Sequence, residues 1–550
     1  MISKYFELWR YAYALRKRLD MQKAQPSRPA AWRKALLKQQ KGHAQYTVVS
    51  ACYNVAAYLP DYFDSLIGQR LDFRNNIRII CVDDGSTDDT AEIIRRYAEQ
   101  YPDNITYIRK ENGGQAGARN LGLRHVRTPW VCFVDPDDFL DYNCFYETDR
   151  RLAQHPDAAV LSMNVVFYPE SSRRFIPGHP LSYKYRGSCR AVPINRMGND
   201  IQLSLASAFF RTDIIREHGL ESDERIKPNF EDGHLITKYL LFAQDKDILF
   251  LRDAKYYYRK RSAGTSTLDG KYRHKELFRD LIRYGYRDML HLYEEAGITH
   301  DYAKRVFLYD IMFTLRDCLL HPEITDILSQ EEKATFIALL HDCFAFFSAD
   351  DIECININGF NWFWKLAAMR CFLGRETELN IAVPVRYDTA RKEVWLRLFC
   401  GTSAPHISAS IGEQEVPVTE DSKRLYHLAD ALLAEEHILR LPLTDGAPLQ
   451  VCCNGKPAAI CLWRSRRADG GTCKPGEQVV PWIPAQHDFI VNAAGKKITR
   501  FFAPAPEHDF SLSLTLLRRE WGNVDSAAPT RFIPAHMFGE DQHLLDEAGE

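Results

Sequence analysis

Three carboxylates lie within four residues at the end of an apolar run. Val131 to Val134 has the pattern of a buried strand, and Asp135, Asp137 and Asp138 follow it in the string VCFVDPDDFLD. Like charges this close repel one another and raise each other's pKa unless a cation lies between them. Aspartate and proline are ordinary turn residues, so a surface turn is the simpler alternative. A divalent cation, which prefers oxygen ligands and often holds a substrate phosphate, would explain all three carboxylates.

Polar residues also follow two other apolar runs. Tyr53 and Asn54 come after TVVSAC, and Asp83 and Asp84 end the string IRIICVDD. The serine and threonine that come next can cap a helix, but capping leaves the two aspartates unexplained. A carboxylate there can accept hydrogen bonds from a nucleobase N–H or a ribose hydroxyl.

A glycine-rich turn, NGGQAGARN (112–120), opens a predicted helix. Glycines let backbone N–H groups approach a phosphate at a helix N-terminus. Their spacing fits neither the G-x-G-x-x-G pattern nor the P-loop pattern. The turn alone is therefore only a weak indication of phosphate binding.

An acidic pair, Glu231 and Asp232, stands just before an apolar helical run in NFEDGHLITKYL. Acidic residues often occupy a first helical turn because they complement the helix dipole. His234 follows, and a lone histidine on a helix is more often structural.

A basic turn follows a strand-like run near residue 260. The string YYYRKRSAGTST places Arg259, Lys260 and Arg261 before a small, hydroxyl-rich loop that begins at Ser262 and contains Gly264. A solvated turn is one interpretation. Arginine forks bind phosphate oxygens at two points, and we favour an anion-binding loop.

These residues need a scaffold that brings strand ends together. Between residues 45 and about 270, strand-like runs alternate with helix-like segments, which predicts an α/β sheet with crossover helices. Five strands are expected, and they begin near Tyr46, Ile77, Ile105, Trp130 and Ala158. In a largely parallel sheet, ligands bind at the carboxyl ends of the strands. The candidate residues would then meet at one edge.

Three further regions complete the chain, so that we expect four in all. Residues 1–44 form a basic leader, residues 271–375 have apolar residues at helical spacing, and residues 376–550 show short alternating runs typical of a β-sandwich or barrel. The tail after residue 500 shows no clear strand or helix pattern. Trp463 and Trp482 in the β-rich region could stack on sugars, although isolated tryptophans are more often core residues.

Composition excludes several classes of protein. A net charge of −2 over 550 residues argues against a general nucleic-acid binder. The 14 cysteines form no C-x-x-C pair, which favours reduced, buried cysteines of a cytoplasmic protein. We expect neither a transmembrane helix nor a signal peptide. The basic leader could lie on the inner membrane face or dock on its own chain, and both interpretations stay open.

Five motifs, in order, strongly resemble the family 2 glycosyltransferases, which are inverting enzymes of the GT-A fold with nucleotide-sugar donors. They are VVSACYN, VDDGSTDDT, NGGQAGARNLGL, FVDPDDFL and NFEDGHL, and they cover roughly residues 45–268. The resemblance implies an α/β GT-A nucleotide-sugar-binding domain with a largely parallel sheet, followed by the helical region and the C-terminal β-rich domain.

The resemblance also implies roles for individual residues. Asp84 would contact the base, and Asp232 would be the general base, with Glu231 supporting it. Mn²⁺ or Mg²⁺ and the donor ribose would be bound by Asp135, Asp137 and Asp138, of which the last two cannot be ranked as metal ligands from the sequence. The remaining donor-binding candidates are Tyr53, Asn54, Asp83, Gly114, Gln115, Arg119, Asn120, Arg259, Arg261 and Ser262.

The expected function is sugar transfer from a nucleotide donor, with UDP as the expected nucleotide, to a hydroxyl of a bacterial surface polysaccharide or teichoic-acid-like polymer. The later regions would hold the acceptor, form a homo-oligomer or attach to a further catalytic module. Three alternatives remain: a non-catalytic scaffold, a carbohydrate-binding module, and a nucleotidyl- or phosphotransferase. The intact carboxylates Asp135, Asp137 and Asp232 argue against the scaffold.

Overall fold

The computed structural model describes residues 39–261, 270–298, 301–353, 362–374, 380–388, 392–401, 404–428, 431–442, 449–460, 489–491, 497–499 and 530–532. The chain divides into two compact units, residues 1–270 and 271–550. Most of the predicted leader lies outside the described residues, as do Trp463 and Trp482.

The first unit is built on a nine-stranded mixed sheet. Its strands are β1 (Tyr46–Cys52), β2 (Ile77–Asp83), β3 (Ile105–Arg109), β4 (Trp130–Phe133), β5 (Phe139–Leu140), β6 (Ala158–Pro169), β7 (Cys189–Pro193), β8 (Ala208–Arg211) and β9 (Asp247–Lys260). Their order is β3-β2-β1-β4-β8-β6-β9-β5, and β7 pairs with β9.

Strand directions confirm the predicted α/β fold with a largely parallel sheet. β1 to β4, β6 and β9 run in one direction. β5, β7 and β8 run antiparallel to their neighbours, and the sequence analysis did not predict them. All five predicted strands are present.

Helices cover the sheet on both faces. They are α1 (Leu59–Ile67), α2 (Phe73–Asn76), α3 (Thr90–Gln100), α4 (Gln115–His125), α5 (Cys144–Leu152), α6 (Thr212–Glu217) and α7 (Glu231–Phe242). In α1 the buried residues recur at helical spacing, as Leu59, Tyr62, Phe63 and Leu66. This single apolar stripe fixes which side of the helix packs on the sheet.

β1 lies at the centre of the parallel half and is buried along its length. α4 crosses it so closely that a Cβ atom on Gly122 would lie 2.5 Å from Val49 Cγ1. Only glycine permits that approach without displacing the strand. Cys52, Cys81 and Cys132 are buried free thiols, as predicted.

Backbone pairing continues past the strand ends. The Asp84 N–H donates to the Cys52 carbonyl at 2.8 Å, and the Val134 N–H donates to the Val49 carbonyl at 3.3 Å. The segments that follow β2 and β4 therefore flank the carboxyl end of β1. The expected convergence of strand ends is confirmed.

At the opposite end of β1, a buried carboxylate holds the entering chain. Asp149 on α5 accepts hydrogen bonds from the backbone N–H groups of His43 and Ala44, both at 2.9 Å, and from the Tyr46 hydroxyl at 3.0 Å. Asn76 Nδ2 adds a bond to the Ala44 carbonyl at 2.7 Å. We call these residues the entry clasp.

The segment between β6 and β8, which the sequence analysis assigned to no element, contains β7 and 3₁₀ turns at Ser182–Tyr185, Ile194–Arg196 and Leu205–Ser207. Lys184 is buried there, and its Nζ donates to the Ile201 carbonyl and, at 3.0 Å, to Gln202 Oε1. Ser162 on β6 donates to the same Gln202 oxygen at 2.6 Å. Burial lowers the pKa of Lys184 to about 7.

The second unit begins with helices, as predicted. A π-helical segment (Leu281–Arg287) leads into α8 (Asp288–Glu295), and 3₁₀ turns lie at Lys271–Arg273, Lys275–Phe278 and Pro322–Ile327. The remaining helices are α9 (Tyr302–Leu320), α10 (Gln330–Phe344), α11 (Ala349–Glu353) and α12 (Trp362–Leu373). None of the described helices is both long and apolar enough to cross a membrane.

The second unit continues with mostly antiparallel β-structure, which confirms the predicted β-rich region. One sheet has the strands β10 (Asn380–Asp388), β11 (Glu393–Cys400), β14 (Thr419–Leu428), β15 (Ala431–Pro442), β18 (Ala459–Ile460) and β21 (Thr530–Phe532). A second has β12 (Ile407–Ile411), β13 (Gln414–Val416), β16 (Leu449–Cys453) and β17 (Lys456–Pro457), and β19 (Phe489–Val491) pairs with β20 (Lys497–Thr499). A core that includes Leu396 and Leu439 from the first sheet and Val451 from the second joins these two sheets.

The entry clasp should contribute strongly to stability. We expect Asp149→Ala to lower the free energy of unfolding by about 3 kcal/mol, because it leaves buried donors unpaired. Asp157→Ala, at an exposed aspartate shortly after the same helix, should change it by less than about 0.5 kcal/mol. Urea unfolding of the full chain measures both, and equal losses would contradict the assignment.

Lys184 should make stability rise with pH above neutrality. Its pKa is about 7 in the folded protein, whereas an unfolded lysine stays protonated to about pH 10. The unfolded state then binds more protons between these values, so unfolding becomes less favourable as pH rises. Between pH 7 and 9, wild type should gain about 1–2 kcal/mol relative to Lys184→Met. The exposed-site variant Lys41→Met should keep the wild-type pH dependence, and an unchanged pH dependence in Lys184→Met would contradict the prediction.

Candidate active site

Arg119 is the centre of the candidate site, and its side chain is almost fully buried. Its Nη2 donates to Asp135 Oδ1 at 2.9 Å. Its Nη1 donates to Asp232 Oδ1 and lies 3.4 Å from Glu231 Oε1. One guanidinium from α4 thus joins the carboxylates that follow β4 to those that begin α7.

The charges in this cluster are not balanced. Burial acts to lower the pKa of Arg119, but Asp232, Asp135 and Glu231 outweigh it and raise that pKa. Burial raises the pKa of Asp135 to about 6 despite the opposing effect of Arg119. Burial and the adjacent Asp232 carboxylate raise the pKa of Glu231. A single guanidinium therefore does not compensate three carboxylates, and the site would accept further positive charge.

Asp232 is held on both carboxylate oxygens. Besides the bond to Arg119, its Oδ2 accepts from the Leu205 backbone N–H at 3.1 Å. α7 starts after Phe230, which has a φ of 83°, and this left-handed residue turns the chain so that Glu231 and Asp232 begin the helix. His234, two residues on, is buried, as expected of a structural histidine.

The three aspartates after β4 differ in their surroundings. Asp138 is buried, and it accepts from the Tyr256 hydroxyl at 2.6 Å and from the Arg259 backbone N–H at 2.7 Å. Asp135 and Asp137 are half-buried. Asp138 therefore ties the end of β4 to β9, while the side chains of the other two remain partly exposed, at 30% for Asp135 and 20% for Asp137. We call the partly exposed region around these two carboxylates the cleft.

Asp135 and Asp137 fit a cation whose remaining coordination positions are filled by other ligands. The described residues contain no group of three or more His, Cys, Asp and Glu side chains suited to holding a metal ion by themselves. Mg²⁺ is usually bound through one or two carboxylates together with substrate phosphates and water. The uncompensated negative charge around Asp135 is consistent with that arrangement.

At the end of β2, the two aspartates face different environments. Asp83 is fully buried, and it accepts from the Ser86 backbone N–H at 2.8 Å and the Tyr107 hydroxyl at 2.9 Å. Asp84 accepts from Gly114 N–H at 2.8 Å and from Lys110 Nζ at 2.6 Å. Asp83 shapes the loop, and Asp84 reaches the glycine-rich turn.

The residues after β1 lie beside this loop. Tyr53 is 50% exposed, and Asn54 Oδ1 accepts from the Thr87 N–H at 2.9 Å. The Asn54 N–H donates to Ser86 Oγ at 3.1 Å. Tyr53 is thus an exposed aromatic side chain at the end of the central strand, next to Asp84.

Within the glycine-rich turn and α4, the candidates divide into two groups. Gly114, with a φ of 95°, directs its N–H at Asp84, and the Gln115 amide lies beside the Arg119 guanidinium. Asn120 is buried and exchanges two hydrogen bonds with the backbone of Ser222, at 2.8 and 2.9 Å. Asn120 therefore braces the chain ahead of α7 and does not face the cleft.

The basic turn after β9 also contains side chains of two kinds. Arg259 is buried; its Nε donates to the Asp137 carbonyl at 2.6 Å and its Nη2 to Asp61 at 3.0 Å. Arg261 is less buried, and its Nε donates to Asp137 Oδ2 at 2.9 Å. Ser262 lies outside the described residues. Arg259 supports the end of β4, whereas Arg261 reaches the cleft.

Sequence reasoning missed three contributors to the site. Lys110 pairs with Asp84, Tyr256 with Asp138, and the backbone N–H of Leu205 with Asp232. Lys110 follows β3, so the rule that selects residues after strand ends could have identified it. No sequence pattern indicates Tyr256 or Leu205, because the aspartates that they contact are distant in sequence.

The chain matches the family model described as glycosyl transferase family 2 over residues 47–219. This range contains the ends of β1, β2 and β4, the glycine-rich turn and Arg119. The acidic pair at the start of α7 lies just beyond it.

Two relatives from Bacillus subtilis (strain 168) are named for teichoic acid synthesis. The chain is 27% identical over 327 residues to minor teichoic acid biosynthesis protein GgaB, a match that covers 59% of this chain and 35% of that protein. It is 28% identical over 305 residues to minor teichoic acid biosynthesis protein GgaA, covering 53% and 64%. The chain thus spans less than two thirds of each relative.

Among solved structures, the chain is similar to Staphylococcus aureus TarS 1-349 in complex with UDP-GlcNAc. The TM-score is 0.47 at 19% identity, and the match covers 60% of this chain and 87% of that one. Residues 47–219 are thus similar to glycosyltransferase family 2, and they lie in an α/β unit with a largely parallel sheet.

Proposed function

We propose that the chain is a metal-dependent inverting glycosyltransferase. It transfers a sugar from a nucleotide donor, with UDP as the expected nucleotide, to a hydroxyl of a bacterial surface polysaccharide or teichoic-acid-like polymer. The observation that carries the proposal is the sharing of Arg119 by Asp135 and Asp232. It supports the proposal because the proposed cation ligand and the proposed base share one guanidinium and so lie close together, as transfer from donor to acceptor requires.

The donor nucleotide is proposed to lie across the ends of β1 and β2. Tyr53 offers an exposed ring there, whereas Asp84 is buried. Asp84 accepts from Lys110 and from the backbone N–H groups of Gly113 and Gly114, so a base N–H would reach it by displacing Lys110. Lys110 is partly exposed and can move.

Asp135 and Asp137 are the proposed cation ligands. When bound, a divalent cation supplies Lewis-acid stabilisation of the departing diphosphate. Arg261 lies against Asp137, where its fork could bind a diphosphate oxygen at two points. Asp138, with both oxygens occupied by Tyr256 and Arg259, is assigned to support.

Asp232 is the proposed general base. It takes the proton from the acceptor hydroxyl while that oxygen bonds to the anomeric carbon and the bond to the diphosphate breaks. Attack from the side opposite the leaving group inverts the configuration. Arg119 and the Leu205 N–H orient the carboxylate. Glu231, whose pKa burial and Asp232 raise, holds a proton more readily and supports its neighbour.

Loss of the base should remove turnover but leave donor binding. The assay is nucleotide release from UDP-, GDP-, CDP- and dTDP-sugars with Mn²⁺ or with EDTA. Release from one donor should require Mn²⁺ and fall about 100-fold or more in Asp232→Asn. Calorimetry should show donor affinity within about threefold of wild type. The exposed-site variant Asp245→Asn should match wild type.

Three outcomes would contradict parts of this function. Release that persists in EDTA would remove the metal from the proposal. Full activity in Asp232→Asn would remove the base. Failure of wild type to bind any nucleotide sugar would favour the scaffold alternative.

Neighbouring aspartates should respond differently to mutation. Asp137→Ala should weaken Mn²⁺ binding in the presence of UDP by about tenfold or more, with little change in stability, because its side chain is a proposed ligand. Asp138→Ala should cost about 3 kcal/mol of stability, since it leaves buried groups unpaired. Electron paramagnetic resonance titration and thermal melting separate the two, and the reverse pattern would make Asp138 the ligand.

A further inference from the structure

Between Glu170 and Asp200 the chain has six positively charged residues and no acidic ones. They are Arg173, Arg174, Lys184, Arg186, Arg190 and Arg196. Lys184 is buried, and Arg190 pairs with Asp200. The other four are exposed. This segment is strongly basic although the whole chain has a net charge of −2, so its positive charge requires an explanation.

Two of the exposed arginines lie where β6 ends. β6 pairs with β9 as far as Pro169 and Lys260, and the Arg173 N–H closes a turn by donating to the Pro169 carbonyl at 2.8 Å. After Arg174 the chain returns beside β6, where Ile176 bridges Phe167. Arg173 and Arg174 therefore project from the carboxyl end of β6, next to the last residue of β9.

Lys260 completes this group. It is exposed, and its Nζ lies 4.4 Å from the ring centroid of Phe167, which keeps the ammonium near the turn. We call Arg173, Arg174 and Lys260 the cationic turn. The next residue, Arg261, contacts Asp137. The cationic turn thus adjoins the proposed metal site at the edge of the sheet where parallel strands end.

The described residues do not neutralise the positive charge of the cationic turn. Among the described residues, neither Arg173 nor Arg174 forms an ion pair. The nearby Glu170 carboxylate lies 3.8 Å from Nη1 of Arg259, a side chain that points into the fold. Three exposed cations in one place repel one another, and binding an anion relieves that repulsion.

We propose that the cationic turn binds phosphodiester groups of the acceptor polymer, and the identity of that polymer rests on the proposed function. Arginine suits this task because its planar fork matches phosphate oxygens. A chain held here would lie close to Asp137, which the adjacent Arg261 contacts, and so near the proposed metal site. An anionic membrane surface would need no such position next to the cleft.

The test uses the full chain and fluorescein-labelled linear inorganic polyphosphate as the probe. Wild type should bind it, more weakly at higher salt because exposed charges are screened. The double variant Arg173→Gln/Arg174→Gln should raise Kd about tenfold or more. The double variant Arg173→Lys/Arg174→Lys keeps the charge and should recover part of the affinity. All four substitutions are made at the two exposed arginines, and thermal melting checks that the variants fold.

Arg196→Gln is the matched control. Arg196 belongs to the same basic segment and is exposed, but its 3₁₀ turn begins beside Lys246, at the other end of β9. Its Kd for polyphosphate and its donor turnover should stay within about twofold of wild type.

Three results would overturn the proposal. Wild type could fail to bind polyphosphate, or Arg196→Gln could weaken binding as much as the double variant. The third is a double variant that loses binding to phosphatidylglycerol vesicles while its polyphosphate affinity stays unchanged, which would assign the surface to a membrane. Polyphosphate binding needs no sugar donor. A wild type that binds the probe but hydrolyses no nucleotide sugar would therefore contradict the proposed function and leave the cationic turn supported.

Discussion

The burial of one guanidinium among three carboxylates is the constraint on which the site depends. Taking Arg119 out of water is costly unless its donors are satisfied, and Asp135, Asp232 and Glu231 supply that compensation from two distant parts of the chain. Arg119 reaches this position because α4 lies directly on β1, which the absence of a side chain at Gly122 allows. The cleft can therefore assemble only when α4 packs closely on the central strand.

A second set of contacts places the other wall of the cleft. Asp138 joins the end of β4 to Tyr256 and Arg259 on β9, so the segment that leads to Arg261 is fixed relative to the aspartates. Asp135 and Asp137, next to these buried bonds, stay half-buried. Hydrogen bonds around a ligand fix its orientation, so the contacts of Asp138 would hold the proposed cation ligands in place.

Much of this could be predicted from the sequence, and the limits have physical causes. β1, β2, β4 and the first half of β6 were predicted because their apolar runs are buried on both faces, whereas β3 is a partly buried edge strand. β5, β7 and β8 were missed because they are short and only their pairing with longer strands defines them. The motifs identified Asp135, Asp137 and Asp232 as candidates, but no local pattern ranks Asp137 above Asp138. That difference comes from Tyr256 on β9, 118 residues away. Likewise, the motif predicts that Asn120 binds the donor, but its side-chain amide is hydrogen-bonded to the backbone of Ser222.

The entry clasp has a consequence for orientation. Residues 43 and 44 are anchored at the amino end of β1, while the candidate site lies at its carboxyl end, roughly 23 Å away for a seven-residue strand. The chain therefore enters the domain at the end of β1 opposite to the candidate site, and a substitution in the entry clasp leaves the groups around Arg119 untouched.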